Sequence, residues 1–227
     1  MTTTGCEKCE YKGYVKINAV EVRACECTKR KDLIRRFKES GLPRKMANIS
    51  LDDWNHRQDP DGNDLSLEQV ETKEKALSYI QKIYNHDKFP FVPVRLNKNL
   101  YTSVIFTGPK NSGKSFVGCI LGKKAIENGA QVRYYDWTEL VTSLDRYDNK
   151  VEYEQINYDF SNCDLVFIDS VEKIDMNLAK NQLSRIFKKR MNNGMWTIVS
   201  LTQSSVDDIR FPAWIDFCED SMVIPLL

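Results

Sequence analysis

Tyr101-Thr-Ser-Val-Ile-Phe-Thr-Gly108-Pro-Lys-Asn-Ser-Gly113-Lys114-Ser115-Phe-Val-Gly118 is the stretch on which the fold turns. Its first part is apolar and β-branched, the composition of a short buried strand. It runs directly into Gly108-Pro109-Lys110-Asn111-Ser112-Gly113-Lys114-Ser115, a complete Gly-x4-Gly-Lys-Ser phosphate loop. The two glycines let successive N–H groups turn inward around phosphate oxygens, and the helix that follows adds the positive end of its dipole. Lys114 is placed to reach the β- and γ-phosphates, and the Ser115 hydroxyl to ligate Mg²⁺. A Gly-containing strand–helix turn with a chance lysine is the bland alternative, and it is disfavoured because all four fixed positions are filled. The stretch specifies a site for a nucleoside triphosphate.

Around this stretch, 227 residues suit one α/β domain with a small appendage. Hydrophobic residues make up 41%, enough for a sizeable core, and charged residues 29%. The net charge of +1 gives no global basic field that would attract nucleic acid. The charges are nevertheless unevenly placed: Thr28–Lys45 holds eight Lys/Arg against two acids, and Met46–Leu77 eight acids against three bases. Such blocks serve as solvated faces or as docking surfaces. No apolar leader follows Met1 and no run of 18 apolar residues occurs, so neither a secretion signal nor a membrane span is expected. The seven cysteines are then expected to be reduced or metal-bound, in a cytoplasmic protein.

The cysteines are not scattered. Cys6-Glu-Lys-Cys9 and Cys25-Glu-Cys27 form two close pairs fifteen residues apart, flanking a strand-like Lys12–Ile17. This spacing fits a tetrahedral four-cysteine zinc knuckle, closed by protein and therefore structural, whose metal supplies folding energy that so short a segment lacks. Unrelated reduced thiols are the competing reading. A redox Cys-x2-Cys is weaker, because no thioredoxin-like pattern surrounds it. Thr28 is placed to cap a short basic helix with Leu33, Ile34 and Phe37 on one stripe and Gly41 as its stop. That helix is free to pack on the knuckle, present its stripe to a partner, or touch a phosphate backbone. An Asp-rich linker follows, anchored by Leu51 and Trp54. The expected units are 1–45, 46–65 and 66–227.

Ser66-Leu-Glu-Gln69 reads as a capping box opening a helix to about His86, with Leu67, Val70, Leu77, Ile80 and Tyr84 inward. After the phosphate loop come a helix over Phe116–Asn128 stopped by Gly129, a strand over Gln131–Tyr135 and a helix over Asp136–Leu144. Tyr147–Asp159 is polar and weakly periodic and receives no element. Cys163–Asp169 is a buried strand. Asp175 caps a helix to Asn193 with Leu178, Leu183, Ile186, Phe187 and Met191 inward and Arg185, Lys188, Lys189 and Arg190 outward. Trp196–Thr202 is a buried strand and Met222–Leu226 an edge strand. Strands alternating with helices imply an α/β fold with a parallel sheet covered on both faces. His56 and His86 stand alone, paired with no nucleophile or metal set, and read as surface or satisfied histidines.

The phosphate loop needs an acid to hold magnesium's water shell, and Asp169 at the end of an apolar strand is that acid. Hydrolysis also needs a second acid to orient water. The next residue is Ser170, which cannot serve, and Glu172 and Asp175 lie nearby but offset, so binding is better supported than turnover. Thr202-Gln203 ends the following strand, either as an ordinary terminus or with its amide near the γ-phosphate. Only 24 residues follow Gln203, too few for a separate helical lid.

Taken in order, the cysteine pairs, the basic helix, the Trp-containing linker, the phosphate loop, Tyr134-Tyr-Asp-Trp-Thr-Glu-Leu-Val141, the Ile-Asp strand and Arg190-Met-Asn-Asn-Gly-Met-Trp-Thr-Ile-Val-Ser200 carry a resemblance. The chain resembles replicative-helicase loaders of the DnaC/DnaI type, cousins of the IstB transposition ATPases, and its compact tail looks phage-like. The resemblance implies an AAA+ (RecA-like) core without a clear lid, behind an N-terminal zinc domain that grips a hexameric replicative helicase. It also implies ATP-dependent self-association and delivery of the helicase to single-stranded DNA, in the host cytoplasm if phage-encoded. On the family's pattern, Gly108 to Ser115 are the Walker A residues, Lys114 included, and Asp169 is the Walker B acid. Gln203 stands in the sensor 1 place, where Asn is usual, and Arg210, or else Arg190, is the candidate arginine acting in trans. Ser170 replaces the second Walker B acid, and the Ser-Arg-Leu box of the tail is missing. For single-stranded DNA the candidates are Arg133, Tyr134, Tyr135, Lys188, Lys189 and Arg190, although one of the two tyrosines must face the core if the segment is a strand. The alternatives are an ATP-binding adaptor that does not hydrolyse, an IstB-like transposition ATPase and, least favoured, a small-molecule kinase.

Overall fold

The structure is a computed structural model. It describes residues 6–10, 12–18, 20–54, 63–96, 98–145, 150–172, 177–201 and 212–226. Among the described residues, a 3-10 turn at Glu7–Cys9 is followed by a small antiparallel ribbon, β1 (Tyr14–Lys16) and β2 (Val22–Ala24), and then by α1 (Glu26–Glu39). This helix starts two residues earlier than Thr28. Cys25 occupies its N-cap, and the Thr28 hydroxyl instead donates to Gly13 O at 2.8 Å. Single 3-10 turns stand at Arg44–Met46 and Leu51–Asp53, and the next described helix is α2 (Leu67–Tyr84). The expected capping box is present: Gln69 N–H donates to Ser66 Oγ, and Ser66 N–H to Gln69 Oε1 at 3.0 Å. The buried face of α2 is Lys73, Ala76, Ile80 and Ile83, and Leu67 is exposed.

A hairpin of β3 (Val94–Leu96) and β4 (Asn99–Tyr101) precedes β5 (Ser103–Thr107). The core strands are then β6 (Val132–Asp136), β7 (Leu165–Val171), β8 (Trp196–Leu201) and β9 (Met222–Pro225). With β5 they form one five-stranded parallel sheet in the order β6-β7-β8-β5-β9. The helices are α3 (Lys114–Glu127), α4 (Trp137–Asp145), α5 (Lys150–Asn162), α6 (Asn177–Asn192) and α7 (Pro212–Glu219).

Strand alternation divides the core between the two faces of this sheet. Val104, Phe106, Leu165, Phe167, Trp196 and Ile198 pack with α2 and α3. Ile105, Val166, Ile168, Val199 and Leu201 pack with α4, α6 and α7. The α/β fold with a covered parallel sheet is as expected. Two helices are additions. Tyr147–Asp159, expected to lack an element, lies largely within α5, whose Ile156 and Phe160 are buried. The tail contributes α7, packed beside α6, and among the described residues no separate helical lid stands apart from the core.

The N-terminal segment is fastened to this core. Arg36 donates to Gly129 O, Arg133 donates to Glu39 O, and Tyr134 N–H on edge strand β6 donates to Ser40 O at 2.8 Å. Leu42 lies where a side chain on Gly122 of α3 would meet it at 3.2 Å.

Candidate functional site

The phosphate loop joins β5 to α3 at the carboxyl end of the sheet, where parallel strands leave a crevice. Its shape depends on two glycines. Gly108 has φ +149°, and a side chain there would press to 1.8 Å from Leu226 O, on the chain continuing from β9. Gly113 has φ +93°, and its α-carbon lies beneath Trp54, so that an added Cβ would come to 2.7 Å from the indole Nε1. Asn111 also lies in the left-handed region, at φ +66°.

Lys114 is nearly buried. Its ammonium donates to Gly108 O at 2.9 Å, to Pro109 O and to Ser112 Oγ. Burial lowers its pKa, and the charge of Asp169 acts in the opposite direction. Ser115 Oγ donates to Asp169 Oδ1 at 2.8 Å, so the two side chains expected to face magnesium meet. Lys110, Asn111, Ser112, Gly113, Lys114 and Ser115 line an open cavity of about 510 Å³, completed by Met46, Phe116, Ser170, Val171, Glu172, Ser200 and Leu201. Ser115 and Asp169 supply oxygens of the kind a magnesium ion takes, beside the lysine that would neutralise phosphate.

Asp169 is held more tightly than its position at a strand end implies. Oδ1 also accepts from Ser200 Oγ and from Ser170 N–H at 3.0 Å, and Oδ2 accepts from Tyr134 OH at 3.0 Å. Burial, and then the Asp169 charge, push the Tyr134 phenol well above its ordinary range, so it stays a donor at neutral pH. Tyr134, Ser200 and Trp54 also belong to this site, a role that no motif assigns to them. The first had a usable signal: alternation along β6 puts Tyr134 and Tyr135 on opposite faces, and Tyr134 takes the α3 side, against Phe167. Gln203 and Arg210, with Thr202 and Asp175, lie outside the described residues.

The basic candidates separate. Lys188 and Lys189 are exposed on α6, with Lys189 Nζ donating to Ser161 Oγ at 2.7 Å. Arg190, expected outward, is 1% exposed. Its guanidinium donates to Thr197 Oγ1 at 2.9 Å, to Phe160 O and Cys163 O at 3.0 Å each, and to Trp196 O. Burial lowers its pKa to about 10, which leaves it charged. The donor fork of arginine matches the carbonyls at these strand and helix ends, so Arg190 is a structural clamp available neither to DNA nor to a neighbouring subunit. Arg133 is half-buried and committed to Asp159, its Nε 2.9 Å from Oδ2, which corrects its assignment as a free DNA contact. Asp159 also accepts from Tyr135 OH at 2.8 Å.

The four paired cysteines converge. All four sulfurs lie within 4.8 Å of one another, with Cys6 and Cys25 3.7 Å apart and Cys9 and Cys27 3.5 Å apart. With Zn–S bonds of about 2.3 Å, tetrahedral sulfurs sit about 3.8 Å apart, so the donor set fits zinc. The thiols do not ionise alike by themselves. Burial acts to raise Cys9, yet hydrogen bonds from the Gly13 backbone and the other thiols bring it to about 7. Hydrogen bonding with Cys25, and then burial, push Cys27 up to about 12. A divalent cation among them would draw all four toward thiolate.

Comparison with known proteins agrees with this geometry. The family model described as IstB-like ATP binding protein matches residues 94–221. No curated protein matches the sequence. Among solved structures the fold is similar to that of the DnaC helicase loader, at 14% identity and a TM-score of 0.61, over 82% of this chain and 100% of that one. DnaI is matched at 13% identity and a TM-score of 0.60, over 82% and 92%. The replication initiator DnaA, solved with AMPPCP and single-stranded DNA, is matched at 12% identity and a TM-score of 0.56, over 82% of this chain and 51% of that one. At such identities the likeness is one of fold, and it lends no support to a phage origin in particular. The family match spans more than half of the chain and contains β5, the phosphate loop and Asp169, and on that ground the chain belongs to the family of IstB-like ATP-binding proteins.

Proposed function

We propose that this protein is an ATP-dependent loader of a hexameric replicative helicase, which it delivers to single-stranded DNA at the start of replication. The observation that carries the reading is the attachment of the cysteine cluster and basic α1 to the ATP-binding core. Tyr134 is tied through its N–H to Ser40 at the end of α1, and through its phenol to Asp169 in the nucleotide site. One residue thus spans the distance between the appendage and the place where magnesium would sit. The solved chain of the DnaC helicase loader is matched in full by 82% of this chain, which supports the same reading.

In this proposal residues 1–45 hold zinc through Cys6, Cys9, Cys25 and Cys27 and grip the helicase, residues 46–65 link, and residues 66–227 bind ATP. Gly108 to Ser115 cradle the phosphates, and Ser115 and Asp169 hold Mg²⁺. Tyr14, Ile17, Val20, Val22, Leu33 and Ile34 expose an apolar surface on the knuckle and α1 suited to a protein partner. Lys188 and Lys189 are the basic residues offered to the DNA backbone, and ATP binding favours self-association. Gln203 as sensor and Arg210 as the arginine acting in trans belong to the same proposal. No described helix is long and apolar enough to cross a membrane.

The family match favours a second reading, a transposition ATPase of the IstB type that coats duplex DNA. That match begins at residue 94, beyond the cysteine cluster, which the second reading leaves without a role. Mass measurement of the protein mixed with the replicative helicase, with and without ATP, separates the two. A loader forms a complex of defined stoichiometry, whereas a transposition ATPase leaves the helicase alone and forms filaments on duplex DNA.

A further inference from the structure

Strand β7 does not end regularly. From Leu165↔Trp196 to Ile168↔Val199 it stays in step with β8, but the next pair is Val171↔Leu201, so Asp169 and Ser170 together stand opposite Ser200. This is a β-bulge. Ser170 takes φ +59° at its centre, and its N–H donates to Ser200 Oγ at 2.9 Å as well as to Asp169 Oδ1 at 3.0 Å.

An extra residue in a strand flips every later side chain to the opposite face. Before the bulge, Leu165 and Phe167 point to the α3 side, and Val166 and Ile168 to the other. After it, Val171 lies with Val166 and Ile168, so the position following Val171 returns to the side of Phe167 and Asp169. That position is Glu172. Trp137 Nε1 donates to Glu172 O at 2.7 Å, which fixes the backbone. Glu172 is exposed and lines the same cavity as Lys114, Ser115 and Ser200.

We propose that Glu172, brought round by the bulge, is the carboxylate that orients and deprotonates the water attacking the γ-phosphate, the role Ser170 cannot fill. The inference rests on the nucleotide site described under Proposed function. In the step, the water oxygen bonds to the γ-phosphorus as the bond from that phosphorus to the β,γ-bridging oxygen breaks. The electron pair leaves with ADP, the water proton passes to Glu172 and then to solvent, and the products are ADP and inorganic phosphate.

The test uses the full chain with Mg²⁺, a thymidine oligonucleotide and ATP, and measures nucleotide affinity and turnover separately for wild type, Glu172→Gln and Glu172→Asp. Removing a positioned base costs about 10²-fold or more in rate. We expect Glu172→Gln to lower kcat by that order with the ATP Kd unchanged within about threefold, and Glu172→Asp to recover part of the loss. Wild-type turnover in Glu172→Gln overturns the assignment, as does a wild type that binds ATP and never cleaves it. Both results leave the nucleotide site standing. A wild type that fails to bind ATP removes the site itself, and the assignment with it.

Discussion

Tyr134 donates its phenol hydrogen to Asp169 Oδ2 across 3.0 Å, from an edge strand to the strand beside it. The same residue donates its backbone N–H to Ser40, where the basic helix ends. Asp169 already has three donors on its other oxygen, from Ser115, Ser170 and Ser200. The tyrosine therefore sets the direction of a carboxylate whose charge is otherwise satisfied, and it ties that direction to the placement of α1.

Tyr134→Phe keeps the ring, which packs edge-on to Phe167 at 5.4 Å, and removes only the hydroxyl. A partly buried hydrogen bond of this kind contributes about 1–2 kcal/mol. The variant should fold with a stability loss of that size and need several-fold more Mg²⁺ for half-maximal ATP binding. Titration of ATP affinity against Mg²⁺ checks this, and an unshifted Mg²⁺ requirement removes Tyr134 from the site.

Gly118→Ala tests the packing beneath the phosphate loop. A Cβ at Gly118 would sit 2.3 Å from Phe167 Cζ, and Phe167 is fully buried with Tyr134 against it. Alanine gains about 1 kcal/mol in helix propensity, whereas overpacking costs about 1–3 kcal/mol. The net should be a loss, read in urea as a lower midpoint at constant m. A higher midpoint would mean that α3 sits farther from β7.

Arg190 and its lysine neighbours should separate cleanly. Arg190→Met leaves Thr197 Oγ1 and the carbonyls of Phe160, Cys163 and Trp196 without their shared donor, at a cost of about 3 kcal/mol or more. Lys188→Ala with Lys189→Ala should leave stability within about 0.5 kcal/mol, weaken single-stranded DNA binding and flatten its salt dependence. Denaturation and DNA titrations at several salt concentrations report both. Unchanged DNA binding in the lysine variant dismisses that surface.

The phosphate loop was legible because its chemistry demands particular residues at fixed spacing. The cysteine pairs were legible for the same reason, and their convergence follows from the ribbon between them. Arg190 was misread because helical spacing gives only a direction. A guanidinium at the rim of a core points inward when carbonyls of neighbouring chain ends await donors, and those come together only in the fold. The bulge in β7 was hidden because its left-handed residue is Ser170, not a glycine that would have announced it. Glu172 therefore read as offset by its count along the chain, although the extra residue brings it round. Helix α5 escaped because its buried acid, Asp159, breaks the apolar period while serving Arg133 and Tyr135.

Removal of metal should act on the appendage first. Prolonged chelation, or Cys9→Ser, should release about one zinc per chain and unfold the ribbon around Cys6–Cys27, because so small a unit lacks a core of its own. ATP binding should persist, since the phosphate loop lies on the sheet. Metal analysis with amide exchange checks this. A metal-free protein with a fully protected ribbon would show that zinc has no part in the fold.

Helicase loading is tested most directly by native mass measurement of the protein mixed with its replicative helicase hexamer, with and without ATP. The expected result is a complex of defined stoichiometry that requires intact zinc and whose composition changes when ATP is added. The contradicting result is a helicase hexamer that stays free at every nucleotide condition while the zinc-loaded protein is folded and binds ATP.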